Sequence, residues 1–212
     1  MSNDLATKHK YYNNTFFGKW AWLYDFEKYF AFPLRVQAAR FLGAEPKSKI
    51  IDVATGTGAQ AYELAKLNLE VTGIDLSPEM LEQAKKKYRN SLELKFQHAD
   101  ATEIPFKDNY FDYSSISLGL HDMPHDIGIL VLKEMKRVTK KDGSILIVDY
   151  MEPKKHTIAK LSHLLVSLYE TKNYKPFIKY GLDELLSKVG LKIYRESNFL
   201  GLFQIVLAKN KK

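Results

Sequence analysis

Three acidic residues stand where the pattern of the chain predicts that strands end. Asp52 lies near the end of the apolar run KIIDV, Asp75 ends LEVTGID, and Asp100 follows LELKFQH. Because ligands of open α/β sheets bind at the carboxyl ends of the strands, we expect these carboxylates to share one site. A carboxylate at the end of the second strand suits both hydroxyls of a ribose. The spacing therefore predicts a site for an adenosine-containing ligand.

A turn containing two glycines follows Asp52. Gly56 and Gly58 lie where the chain must bend sharply from strand to helix and let a ligand approach its backbone. The sequence from 56 to 61 also fits the loose dinucleotide pattern G-x-G-x-x-G/A, which leaves a nicotinamide oxidoreductase as an alternative. Asp52 instead favours a ligand with a free amino group, since a carboxylate is unhelpful beside a pyrophosphate. Asp100 is placed to reach an adenine amino group, although both acids could also be turn or cap residues.

A second group of candidate residues follows the fourth predicted strand, in GLHDMPHD at 119–126. We interpret His121 as a candidate general base, because an unperturbed imidazole titrates near physiological pH. The alternative is a solvated or capping loop histidine. Tyr150, at the end of the fifth predicted strand, is a candidate for the acceptor pocket, with ordinary packing as its alternative. The two His-Asp pairs lack further ligands at suitable spacing, so we predict no metal site.

Strands and helices alternate around these residues. The strands KIIDVAT, LEVTGIDL, LELKFQH, FDYSSISL and SILIVDY are separated in part by helical patterns at 59–67, 77–89 and 127–138. This alternation predicts an α/β domain with a mostly parallel sheet and helices on both faces. Too few residues separate LKIYRESNF from LFQIVLAK for a parallel return, so they predict a hairpin and one antiparallel strand.

Local signals predict where some elements end. We expect the aromatic N-terminal stretch to be helical in parts and to break before Pro33. Asp142-Gly143 predicts a turn before the fifth strand. A short helix over 182–189 should end at Gly190, which suits a C-cap.

The composition is that of an ordinary globular protein, with 45% hydrophobic and 27% charged residues among 212. No repeat or linker interrupts the chain, so we predict a single domain over 1–212. Its predicted parts are an aromatic helical N-terminal cap (1–45), a cofactor-binding core (46–150), a helical substrate cap (151–180), and the last helix with the hairpin (181–212). The chain shows no signal peptide, no bilayer-spanning apolar run and no cysteine, which predicts a cytoplasmic protein without disulfides.

The net charge of +7 is concentrated in the C-terminal part. From Lys133 to Lys212 there are 17 basic and 8 acidic residues. Such a surface could meet nucleic acid, an anionic membrane or an acidic substrate, or it could simply be solvated. The lysines are scattered, which argues against nucleic acid. No pattern indicates an oligomeric state.

Five ordered motifs resemble the class I S-adenosylmethionine-dependent methyltransferases, and among them the C-methyltransferases of ubiquinone and menaquinone biosynthesis. They are IIDVATGTG, VTGIDLSPEML, HADATEIPF, FDYSSISLGLHDM and LKEMKRVTKKDGSILIVDY. The resemblance covers 48–150 and, less strongly, the C-terminal hairpin. It implies a Rossmann-like sheet of seven strands, bound S-adenosylmethionine and methyl transfer. Ala54 stands where many members have a glycine, and other members of the quinone-methylating subgroup also carry alanine there.

The resemblance also implies roles for individual residues. The methionine part of the cofactor would be surrounded by loop residues, namely Asp52, Ala54, Thr55, Gly56 and Gly58. The other implied contacts are Asp75 for the ribose, Leu76, Met80, Asp100 and Ala101 for the adenine, Ser117 beside the sulfonium, and Tyr24 for closing the site.

Two segments are predicted to form the walls of the acceptor pocket. They are the aromatic stretch 16–32, with Phe17, Trp20, Tyr24 and Phe30, and the amphipathic segment 156–177. They favour a small apolar or aromatic acceptor, quinone-precursor-like or lipid-like, and raise the hypothesis of contact with a membrane surface. One alternative is a methyltransferase for RNA or another anionic partner. Another is a protein that binds S-adenosylmethionine without catalysis.

Overall fold

A seven-stranded sheet forms the centre of the molecule. The computed structural model describes residues 23–87, 92–153 and 171–211, with side chains from residue 31 onward. The strands are β1 (Lys49–Val53), β2 (Glu70–Asp75), β3 (Leu94–His98), β4 (Phe111–Ser117), β5 (Thr139–Tyr150), β6 (Lys192–Phe199) and β7 (Phe203–Lys209). The helices are α1 (Leu23–Leu42), α2 (Ala59–Ala65), α3 (Pro78–Lys87), α4 (His125–Val138) and α5 (Tyr174–Lys188), with a short 3-10 helix at Leu120–Asp122.

The strand order is β3-β2-β1-β4-β5-β7-β6. The strands β1 to β5 pair in parallel, whereas β7 is antiparallel to both β5 and β6. The predicted α/β fold, with one antiparallel strand from the C-terminal hairpin, is therefore confirmed. The order reverses between β1 and β4, because the chain first builds outward to β3 and then returns to the other side of β1. In open α/β sheets such a point opens a crevice at the carboxyl ends of the strands.

The two faces of the sheet are covered by separate apolar clusters. Ile51 and Val53 of β1 pack in the cluster that contains the buried residues of α4 and α5. Ile50, which directly precedes Ile51, packs in the cluster formed with α1 and α2. Successive side chains of a strand point to opposite faces, so alternate residues of one apolar run fill both layers. This places β1 and β4 in the interior, with their carboxyl ends open to the crevice.

The first helix passes through Pro33 without ending, so the predicted break there is wrong. Proline removes a backbone hydrogen bond and costs about 3 kcal/mol inside a helix. Leu34, Ala38 and Leu42 lie at helical spacing and are buried against the second cluster. Burial of one leucine contributes about 1.5–3 kcal/mol, so this face offsets the cost of the proline.

One other expectation differs from the structure, and one is confirmed. Asp142 and Gly143 lie within β5 and do not form a separate turn. The N–H of Asp142 donates to the Asn210 carbonyl at 2.9 Å, and the N–H of Asn210 donates to the Gly143 carbonyl at 3.0 Å, so this segment pairs with the end of the chain. The helix predicted over 182–189 is confirmed as the part of α5 that follows Gly181, whose non-helical backbone (φ 75°, ψ 166°) separates it from the first part, and the predicted terminal residue Gly190 follows it with φ 67°.

Several expectations fall outside the described residues. These are the aromatic cap up to residue 22, the end of the third helix near Arg89, and the substrate cap over 154–170. In the described part of the chain, no helix combines the length and apolar character needed to cross a bilayer.

Candidate active site

Asp52 lies at the end of β1 between two hydroxyl donors. Its Oδ2 accepts a hydrogen bond from Thr55 Oγ1 at 2.6 Å, and its Oδ1 accepts one from Ser115 Oγ of β4 at 2.5 Å. The residue is only 1% exposed. Burial raises the pKa of Asp52 to about 6, although these hydrogen bonds and the charge of Arg35 oppose the shift. At neutral pH the site therefore holds a buried negative charge that a ligand's amino group would stabilise.

The loop after β1 is fixed to the end of β2. Asp75 Oδ2 accepts the N–H of Gly56 at 2.7 Å, and its Oδ1 accepts the N–H of Ser77 at 2.9 Å. The N–H of Thr55 donates to the Ile74 carbonyl at 2.9 Å. Burial raises the pKa of Asp75 despite these backbone donors. Each oxygen keeps further acceptor capacity, so the carboxylate can still receive the two hydroxyls of a ribose. We call the loop 52–58 together with Asp75 the cofactor cradle.

The two glycines of the cradle serve different purposes. Both have left-handed backbones, with φ 55° at Gly56 and φ 78° at Gly58. No atom lies within 4 Å of the place a Cβ would take at Gly56, so its backbone borders open space. At Gly58 a Cβ would lie 2.6 Å from the Phe96 ring, and at Gly73 of β2 it would lie 2.8 Å from the same ring. Gly56 thus leaves room for a ligand, whereas Gly58 makes room for a side chain.

The floor of the crevice contains a buried hydroxyl. Ser117 Oγ, at the end of β4, is inaccessible to solvent and has no hydrogen-bond partner among the described residues. A Cβ at Gly119 would lie 3.5 Å from the Cβ of Ala54, so the loops after β4 and β1 are in contact. Carboxylates for an amino group and a ribose, open backbone and a spare hydroxyl fit S-adenosylmethionine well.

The predicted adenine contacts lie on the loops after β2 and β3. Asp100 Oδ1 accepts hydrogen bonds from the N–H of Thr102 at 2.9 Å and from Thr102 Oγ1 at 2.7 Å. It therefore caps a turn, as the sequence allowed, and its contact with adenine stays a prediction. Met80 is buried, and Leu76 and Ala101 are half-buried. Tyr24 belongs to the first turn of α1, and its side chain lies outside the described residues.

His121 is buried at the carboxyl end of the sheet and pairs with Asp149. The residue is 3% exposed and Asp149 is 0% exposed. His121 Nδ1 lies 2.7 Å from Asp149 Oδ1, and its Nε2 lies 3.5 Å from Asp122 Oδ1. These values exclude a solvated loop histidine. We call His121 and Asp149 the acceptor-side pair.

Aromatic rings surround His121. The ring of Tyr150 meets it edge-on with a centroid distance of 4.8 Å. Tyr174 and Phe177, both from α5, lie at 6.2 Å and 6.4 Å. Tyr150 also packs on Phe203 of β7 at 4.7 Å. The structure therefore brings the two candidate catalytic residues together, and Tyr150 is part of the packed wall.

Sequence reasoning missed Asp149, although one signal was present. The residue ends the apolar run SILIV and is thus a fourth acid at the carboxyl end of a parallel strand. Its importance becomes visible only when β5 lies beside β4. Across the described ranges, no three His, Asp or Glu side chains converge as metal ligands would.

Comparison with known proteins identifies the core. Residues 51–147 match the family described as methyltransferase domain. This core is a class I S-adenosylmethionine-dependent methyltransferase domain. S-adenosylmethionine is the cofactor that such a domain implies, and the cofactor cradle occupies the matched segment.

Curated relatives resemble this methyltransferase domain over part of their length. A demethylmenaquinone methyltransferase of Staphylococcus aureus is 38% identical over 122 residues, which cover 56% of this chain and 50% of that protein. The chain thus spans about half the length of the curated relatives that it matches.

Solved structures share the fold. A SAM-dependent methyltransferase from Aquifex aeolicus superimposes with a TM-score of 0.63 at 19% identity, over 82% of this chain and 88% of that one. A 4+2 cyclase superimposes with a TM-score of 0.66 at 16% identity, over 85% of this chain and 81% of that one. At such identities the likeness concerns the fold alone, and one fold supports different reactions.

Proposed function

We propose that this protein transfers a methyl group from S-adenosylmethionine to a hydroxylated aromatic acceptor of the demethylated quinol type. The observation that carries the proposal is the acceptor-side pair, in which a buried imidazole lies among three aromatic rings at the edge of the sheet where the strands that carry the cofactor cradle also end. The name of the Staphylococcus aureus relative supports the same class of acceptor.

The cofactor cradle would hold the methyl donor. Asp52 would face the amino group and Asp75 the ribose, because those carboxylates end β1 and β2 at the crevice. Ser117, with its unpartnered buried hydroxyl, would lie on the floor near the sulfonium. When bound, S-adenosylmethionine supplies a methyl group already activated for displacement.

The acceptor side would prepare the nucleophile. Methyl transfer to an aromatic ring is faster when a ring hydroxyl loses its proton, because the anion is more electron-rich. His121 would take that proton as a general base. Tyr150, Tyr174 and Phe177 would contact the flat acceptor and exclude water from it.

The test is incubation of the full chain with reduced demethylmenaquinone and S-adenosylmethionine labelled in its methyl group. We expect labelled methylated product and S-adenosylhomocysteine in equal amounts. Parallel reactions with a transfer RNA transcript and with no acceptor test the alternatives. Label found in RNA alone, or cofactor binding without turnover of any hydroxylated aromatic compound, would contradict the proposal.

A further inference from the structure

We infer that Asp149 is a positioning residue that fixes the tautomer of His121 and, together with Asp122, stabilises the imidazolium formed when His121 takes a proton. The inference rests on the proposed function, since it requires an acceptor that loses a hydroxyl proton.

The first argument is the geometry between the two side chains. His121 Nδ1 lies 2.7 Å from Asp149 Oδ1, and both residues are buried. An ionised carboxylate only accepts hydrogen bonds, so Nδ1 must carry the proton in this contact. In a neutral ring Nε2 then carries no proton and is the basic nitrogen. The general base therefore acts through Nε2.

The second argument is that Asp149 is itself held by the backbone. Its Oδ2 accepts the N–H groups of Leu120 at 3.0 Å and His121 at 3.3 Å. Its Oδ1 also accepts the N–H of Tyr150 at 2.8 Å. These three donors stabilise the buried negative charge and restrict rotation of the carboxylate. A carboxylate that only bound the backbone of the loop after β4 would not need to contact the imidazole as well.

The third argument is the second carboxylate beside the ring. Asp122 Oδ1 lies 3.5 Å from Nε2, opposite the contact with Asp149. In the proposed step the acceptor's O–H bond breaks, its electron pair stays on the acceptor oxygen, and an N–H bond forms at Nε2. The resulting cation would lie between two carboxylates, which favours proton transfer in that direction.

Among the described residues, polar groups that face His121 come from three elements. Asp122 comes from the 3-10 helix, Asp149 and Tyr150 come from the end of β5, and Tyr174 comes from α5. Burial, with a further contribution from the charge of Asp149, raises the pKa of Tyr180 of α5 to about 12. Tyr180 is therefore neutral at physiological pH, and among the described residues Asp122 and Asp149 are the carboxylates beside the ring.

The chain offers a matched control four residues away. His125 Nε2 lies 2.6 Å from Glu184 Oε2, which makes a second imidazole–carboxylate pair between α4 and α5. That imidazole is about one-third exposed, with its side chain 32% accessible. His125→Gln therefore removes a similar hydrogen bond outside the buried aromatic wall, and we expect turnover to remain within about twofold.

The central experiment measures the pH dependence of turnover in Asp149→Asn. We expect kcat at pH 7 to fall about 100-fold with KM and S-adenosylhomocysteine affinity little changed. The loss should shrink as the pH rises toward ionisation of the acceptor hydroxyl, because an ionised acceptor needs no base. Equal loss at every pH, or no loss, would overturn the inference while leaving methyl transfer by the wild type intact.

A double variant tests whether Asp149 acts through His121. His121→Gln leaves the three backbone donors of Asp149 in place. We expect Asp149→Asn to add little further loss of kcat in the His121→Gln background. Additive losses would mean that Asp149 acts independently, which contradicts the positioning role.

One measurement needs neither turnover nor a folded variant at position 149. In wild-type protein with ¹⁵N-labelled histidine, NMR distinguishes the two neutral tautomers. We expect His121 in the Nδ1–H form, assigned by the loss of its signals in His121→Gln. An Nε2–H form would overturn the inference. This result stands even if reduced demethylmenaquinone is not methylated, so the two proposals can fail separately.

Discussion

The cofactor cradle and the acceptor-side pair both use a buried aspartate at the end of a strand, but their partners differ in distance along the chain. Asp52 bonds to Thr55, three residues on, and Asp75 bonds to Ser77, two residues on. Asp149 bonds to His121, which is 28 residues earlier. Each cradle carboxylate therefore has one partner within its own turn and one distant partner, Ser115 for Asp52 and Gly56 for Asp75, whereas the imidazole that faces Asp149 comes only from a distant segment.

The two sites also lie on different faces of the sheet. Asp52 follows Ile50 by two residues in β1 and shares its face, which α1 and α2 cover. Asp149 follows Ile147 by two residues in β5 and shares the face of α4 and α5. Donor binding and acceptor chemistry can therefore be changed separately, which the following substitutions exploit.

The largest effect is expected from His121→Gln. Loss of a general base lowers kcat by about 10²–10⁴-fold. The cradle is untouched, so calorimetry should give an unchanged Kd for S-adenosylhomocysteine. Weaker binding of S-adenosylhomocysteine in this variant would contradict the separation of the two sites.

Asp75→Ala should instead weaken cofactor binding and leave kcat nearly unchanged. The substitution removes the acceptor for Gly56 and Ser77 and the predicted ribose ligand. One hydrogen bond to a charged group contributes about 1.5–3 kcal/mol, so S-adenosylhomocysteine affinity should fall about 10- to 100-fold. With saturating cofactor, kcat should recover to near the wild-type value. Glu79→Ala, on the exposed start of α3, is the matched control.

Asp52→Asn should stabilise the free protein while weakening cofactor binding. The folded state raises the pKa of Asp52 from 3.8 to about 6, so the folded state holds this proton more tightly than the unfolded chain. The stabilisation of the folded state by this tighter proton binding is complete below pH 3.8 and is lost as the pH rises through 6. Asparagine avoids that loss, which is at most about 3 kcal/mol. Thermal melting should show a higher Tm at pH 7.5 and no difference at pH 4.

The smallest effects separate the two cradle glycines. Gly56→Ala should cost about 1 kcal/mol, because only its left-handed backbone is strained. Gly58→Ala should cost more, since its Cβ would also meet Phe96. Adding Phe96→Leu should reduce that extra cost, as measured by urea unfolding. Equal losses in the two single variants would show that Phe96 moves aside freely.

Short-range signals made the sheet and the cradle predictable. Alternating apolar runs predicted the seven strands, and the residues between Asp52 and Gly58 predicted a sharp turn because acids and glycines have strong local preferences. The helix through Pro33 was not predictable in this way, since the packing of Leu34 and Leu42 outweighs the local preference of proline. The role of Asp149 was not predicted either, because its partner His121 lies 28 residues earlier in the chain. Its meaning depends on the β4–β5 register, which no residue near it encodes.

The ring of Phe96 has a consequence for sequence evolution in this family. It occupies the space that side chains at Gly58 and Gly73 would need, although the three residues come from β2, β3 and the loop after β1. Relatives with alanine or serine at either glycine position should therefore carry a smaller residue in place of Phe96. The three positions should vary as a coupled set in an alignment, independently of which acceptor each relative methylates.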